Sequence, residues 1–100
     1  IMTKSELHEM EHIKQLLAKL QTAQLTTFGD SSINMDIDTG GYKHSIHVTV
    51  YAGKSVMSVG GFENARREEF VITPWQASRH NTNICNGCIA FVNAHRERKP

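Results

Sequence analysis

Near residue 30 the spacing of the apolar residues changes, and that change limits what the chain can fold into more than any motif does. Between Ser5 and Leu25, the residues Met10, Ile13, Leu17 and Leu20 recur at steps of three and four, with Leu7, Leu16 and Ala23 widening the stripe. An apolar band at that spacing runs along one side of an α-helix. Phe28-Gly29-Asp30-Ser31-Ser32 then reads as a loop, and beyond it the period drops to two. Ile33, Met35 and Ile37 alternate with Asn34, Asp36 and Asp38, and Ile46, Val48 and Val50 alternate with His47, Thr49 and Tyr51. Such alternation belongs to an antiparallel sheet with one dry and one solvated side. The dry side needs a cover, and the N-terminal helix is the first candidate.

The remaining boundaries follow from local chemistry. Ser5 suits the N-cap of the first helix, and Glu6 and Glu9 favour its positive end. Thr39-Gly40-Gly41 and Ala52-Gly53-Lys54 are turns, and Ser55 to Phe62 reads as a third strand ending at Gly60-Gly61. The charged run Glu63 to Glu69 suits one helical turn or a wide loop, followed by a short fourth strand at Phe70-Val71-Ile72. Thr73-Pro74 has the form of an N-cap with proline at the first helical position, so Trp75 to Arg79 would open a helix. Asn81, Asn83, Asn86 and Gly87 are poor helix formers, which predicts a break near Asn81 or Thr82 and a final helix from Ile84 to about Arg98. The expectation is an α+β fold: an N-terminal amphipathic helix, a three- to four-stranded antiparallel meander and a C-terminal helix. At 100 residues, with no repeat or linker, residues 1–100 make one domain.

Composition narrows the function classes. With 39% hydrophobic residues, 21% charged and a net charge of +1, the chain is neither disordered nor built around a polyanion. No apolar run approaches the roughly 20 residues that span a bilayer, and no basic segment with an apolar stretch opens the chain as a signal peptide would. Cys85 and Cys88 are too few for a secreted disulfide framework, which points to a cytoplasmic protein with reduced thiols. Only 7% of residues are aromatic, so the core rests on aliphatic side chains and an interface between copies would add burial. The stripe Met10, Ile13, Leu17, Leu20 is the expected interaction surface.

Several strings bear on chemistry. His8-Glu9-Met10-Glu11-His12 spells the H-E-x-x-H of zinc peptidases, in which two histidines one turn apart bind metal and the glutamate polarises water. Glu11 puts a charge inside the motif, only seven residues precede His8, and both histidines lie on the polar side of the helix. A solvated helix face explains the string better. His80, Cys85, Cys88 and His95 are a second, weak set of metal candidates; packed core cysteines are the simpler reading. Asp36-Ile37-Asp38-Thr39-Gly40 begins like a calcium loop but lacks the distal ligands, and Gly60-Gly61 fits no phosphate loop. All five arginines, Arg66, Arg67, Arg79, Arg96 and Arg98, fall in the second half, where an anion or nucleic acid would meet them. A sheet face carrying His47 and Tyr51 would add stacking to that contact.

No catalytic constellation is complete and no cofactor is expected. These residues lead to a non-enzymatic protein-binding or assembly module, of the accessory or inhibitor type that phages carry, acting by surface contacts and associating with itself. The alternatives are a zinc-stabilised module and an arginine-rich nucleic-acid binder. The zinc peptidase ranks below both.

Overall fold

A computed structural model describes residues 3–30, 32–41, 44–53 and 66–96. Helix α1 (Lys4–Leu25) is followed by β1 (Ile33–Asp38), β2 (Ile46–Ala52), β3 (Arg66–Ile72) and helix α2 (Ser78–His95). The sheet order is β1-β2-β3, with both pairings antiparallel. The α+β architecture expected from the residues is the one observed.

Helix α1 is capped two residues earlier than Ser5. Thr3 is the N-cap, and its hydroxyl accepts a hydrogen bond from Glu6 N at 3.1 Å. The end is set by Thr26 and Thr27, whose hydroxyls donate back to Ala23 O and Gln24 O, and by Gly29 at φ +80. The backbone N–H groups of Thr26 and Thr27 donate to the same two carbonyls, so hydroxyl and amide together satisfy the last turn.

The third strand is where expectation and structure part. Residues 55–62, read as a strand, lie outside the described residues. The third place in the sheet is filled by β3, which begins at Arg66, four residues before the expected Phe70. The run Arg66-Arg67-Glu68-Glu69 is charged but strand-compatible. Period two puts Arg66 beside Glu68 on one face, 3.0 Å apart, and Arg67 beside Glu69 on the other. Opposite charges two apart thus support the extended chain.

Helix α2 corrects a second expectation. It begins at Ser78, after a turn over Thr73 to Gln76, and runs without a break through Asn81 and Thr82. Asparagine disfavours helices because its side chain competes for backbone groups. Here Asn81 is 2% exposed, and its amide is spent elsewhere: Nδ2 donates to Thr73 O at 2.8 Å, while Oδ1 accepts from Gln76 Nε2 at 2.6 Å. Tertiary bonding cancels the local penalty.

Both helices lie on the dry face. Ile13, Leu16, Leu20 and Ala23 of α1 and Cys85, Cys88 and Val92 of α2 close over Ile33, Met35, Ile46, Val48, Val50 and Ile72. Burying one such aliphatic side chain stabilises by about 1.5–3 kcal/mol. The two helices run in the same direction. His12 meets Thr82, Leu16 O meets the Cys85 thiol, and farther along Ala23 shares a groove with Ile89 and Asn93.

Candidate binding surface on the open face of the sheet

The other face of the same strands carries no described helix. The register lays its residues out in rows across β1, β2 and β3: Asn34–Tyr51–Arg67, Asp36–Thr49–Glu69 and Asp38–His47–Val71. Glu69 joins two rows, accepting from Arg67 and lying 3.6 Å from His47 Nε2. At the end of the face stands Trp75, 65% exposed, in the turn that leads from β3 to α2. Val71 is 41% exposed, an apolar residue on a polar face. Neither was singled out by the sequence, because Thr73-Pro74 resembled a helix start and placed Trp75 inside a helix. The Asn81 bonds to Thr73 O and Gln76, with Gln76 N donating to Thr73 O, hold residues 73–76 as a turn.

The expected interaction stripe divides. Ile13 and Leu20 are buried in the chain's own core, whereas Met10 and Leu17 are half-buried beside it. Leu16 and Ala23 take the core positions that the narrower stripe left out.

The H-E-x-x-H residues do not converge. His8 is exposed and Glu9 half-buried, while His12 turns toward α2. Thr82 Oγ1 donates to Ser78 O at 2.9 Å, so the consistent arrangement has His12 Nε2–H donating to Thr82 Oγ1 at 3.1 Å and sharing Ser78 O at 3.3 Å. That nitrogen joins the two helices and offers no lone pair to a metal.

The weak metal candidates are also held apart by their roles. Cys85 and Cys88 are fully buried, and burial pushes both thiols up; for Cys88 the value reaches about 12, with Cys85 adding to the shift. Nucleophilic chemistry needs the thiolate, which burial disfavours. His80 is exposed at the start of α2. His95, at its end, stacks on Phe91 with ring centroids 4.2 Å apart and bonds Phe91 O. No group of three or more His, Cys, Asp or Glu side chains able to hold a metal occurs among the described residues.

The arginines are distributed rather than gathered. Arg66 and Arg67 project from opposite faces of β3, each beside a glutamate, and Arg66 lies 5.5 Å from the Phe91 ring centroid. Arg79 and Arg96 stand at the two ends of α2, roughly 25 Å apart by helical rise. Arg98 lies outside the described residues. His47 and Tyr51 do share the open face, as their alternation implied.

No described helix is long and apolar enough to cross a membrane. Comparison with known families, with curated proteins and with solved structures finds no match.

Proposed function

We propose that this chain is a protein-binding module without a catalytic centre, holding its partner against the open face of the sheet. The observation that carries this reading is Trp75, 65% exposed next to Val71 at 41%, on a face that no described helix covers. A large aromatic beside an exposed aliphatic is the composition of an interface centre, where tryptophan supplies much of the binding energy. The reading includes an accessory or inhibitor role exercised by contact alone, in the cytoplasm, where the free thiols Cys85 and Cys88 stay reduced.

Self-association is part of the proposal, moved from its first position. The core claims Ile13 and Leu20, and each outer strand of the described sheet has a carbonyl bound by glutamine: Met35 O by Gln24 and Val71 O by Gln76. Besides Leu7 at 50% near its start, α1 still shows Leu25 at 63% at its end, with Phe28 just beyond it at 71% exposure. A second copy would meet the molecule there.

One experiment separates the two surfaces. Proteins captured by the wild-type chain are compared with those captured by Trp75→Ala/Val71→Asp and by Leu25→Glu/Phe28→Glu, with each sample's mass read by sedimentation. A stoichiometric partner lost only with the first pair supports the open face. A dimer lost only with the second pair supports self-association. Identical captured sets and masses for all three proteins would sink both.

A further inference from the structure

Beyond the last row of the open face, Ser45 immediately precedes β2 and Thr73 immediately follows β3, each one position past the Ile46–Ile72 pair. They line a cavity of about 230 Å³ together with Asp38, His47, Val71 and Trp75. Thr73 is 6% exposed. Among the described residues, the hydroxyl oxygens of Ser45 and Thr73 are the buried side-chain nitrogen or oxygen atoms without a hydrogen-bond partner. A buried hydroxyl left so costs roughly 1–3 kcal/mol, and native proteins seldom tolerate two together without a reason. Here the two residues that carry the unsatisfied groups line one cavity, beside a carboxylate and an indole.

We infer that this cavity receives an arginine side chain presented by the partner protein. The inference rests on the protein-binding reading and names what that partner must carry. Charge selects the ligand first. Among the described residues, the three strands place Asp36, Asp38 and Glu69 on the open face against one permanent cation, Arg67, so that part of it is acidic although the chain as a whole is +1. Hydrogen bonding agrees. Asp38 Oδ1 accepts from Gly40 N at 2.8 Å, leaving Oδ2 for a ligand, and a χ1 rotation would turn the buried Ser45 and Thr73 hydroxyls, which have no partner to lose, toward it. A guanidinium brings five N–H donors in a plane and stacks on indole, which suits acceptors arrayed beside Trp75. Size agrees as well: the cavity falls below the roughly 300–1,000 Å³ of pockets that enclose whole small molecules, and one side chain fits that scale.

Trp75 is the sole tryptophan, so its fluorescence reports on this site alone. The full chain is titrated with N-acetyl-L-arginine amide, with its neutral isostere N-acetyl-L-citrulline amide, with free L-arginine and with methyl glucoside. A saturable change with the blocked arginine at about millimolar concentration is expected, as fits a single side chain, with citrulline at least about tenfold weaker for want of charge-assisted bonds. Asp38→Asn and Thr73→Val should each weaken the blocked arginine severalfold while retaining the wild-type circular dichroism. Equal binding of citrulline, a preference for the sugar, binding of free arginine alone, or no response in the wild type overturns the inference. So does unaltered affinity in both variants. If arginine fails while a partner is still lost with Trp75→Ala/Val71→Asp, the protein-binding reading stands and only the arginine falls.

Discussion

The two faces of β1, β2 and β3 share one backbone and differ in what they tolerate. On the inner face Val48, Val50 and Ile72 are wholly buried, and Met35 and Ile33 nearly so. On the outer face Asn34, Asp36, Asp38, His47 and Glu69 are exposed. Each face has one departure from its own pattern, and both departures are on β3. Arg66 and Glu68 carry charge onto the inner side, where they pair with each other and Arg66 lies near Phe91. Val71 carries an apolar side chain onto the outer side, and its neighbour in the cavity is the exposed Trp75. The first departure is compensated within the chain. The second opens outward, and breaks in local consistency of that kind are where function is to be sought.

The strongest way to break this comparison is to weaken each face in turn. Leu20→Ala removes a side chain with no exposure at all and should cost about 2–5 kcal/mol, enough to unfold much of a marginal domain. Asp36→Ala, on the exposed face, should stay within about 0.5 kcal/mol. Urea midpoints measure both. Similar losses would mean that the two faces do not divide stability from contact as described.

A smaller effect sharpens the inner face through pH. Burial raises the Cys88 thiol from 9.0 to about 12, so the folded chain keeps its proton where the unfolded chain loses it. Across that interval the unfolded state binds fewer protons, and stability must fall as pH rises. The contribution is whole below pH 9 and is lost on the way to 12, with a limiting slope of about 1.4 kcal/mol per pH unit for one thiol. Lysines and tyrosines titrate in the same range, so the informative quantity is the difference between wild type and Cys88→Ala. The wild type should show the steeper decline between pH 8.5 and roughly 10.5. Parallel curves would show that the thiol titrates alike in both states.

Elements with one dry side were legible because alternation or a helical stripe records the burial directly: α1, β1 and β2 came out within about two residues. The cysteines were legible for the same reason, as small apolar residues on the inner side of α2. What failed depended on partners distant in sequence. Asn81 reads as a helix breaker until Thr73 O and Gln76 occupy its amide, and Arg66 to Glu69 read as part of one helical turn or a wide loop until β2 pairs with them. The N-cap was within reach, since Thr3-Lys4-Ser5-Glu6 has the Thr-x-x-Glu form of a capping box. The open face was half legible. Its polar rows follow from alternation, but Trp75 and the paired hydroxyls of Ser45 and Thr73 come together through strand register and a turn fixed from α2. The arginine cluster of the sequence had no such register behind it, and its described members, Arg66, Arg67, Arg79 and Arg96, separate.

The contrast between covered and open sides should hold within a single helix as well. Gly87 and Cys88 are adjacent in α2, yet Cys88 is fully buried and Gly87 is exposed. A Cβ built on Gly87 has nothing within 4 Å, so alanine fits there without displacing a neighbour. Glycine inside a helix costs roughly 0.5–1 kcal/mol relative to alanine, mainly through the freedom it regains on unfolding. Gly87→Ala is therefore expected to raise stability by about that amount, seen as a higher urea midpoint with unchanged slope. It should leave Trp75 fluorescence unaltered, since the substitution is on the helical layer and the indole on the far side of the sheet. A loss of stability would mean that this side of α2 is covered by another part of the chain or by a second copy, and the boundary between the closed and open surfaces would have to be redrawn there.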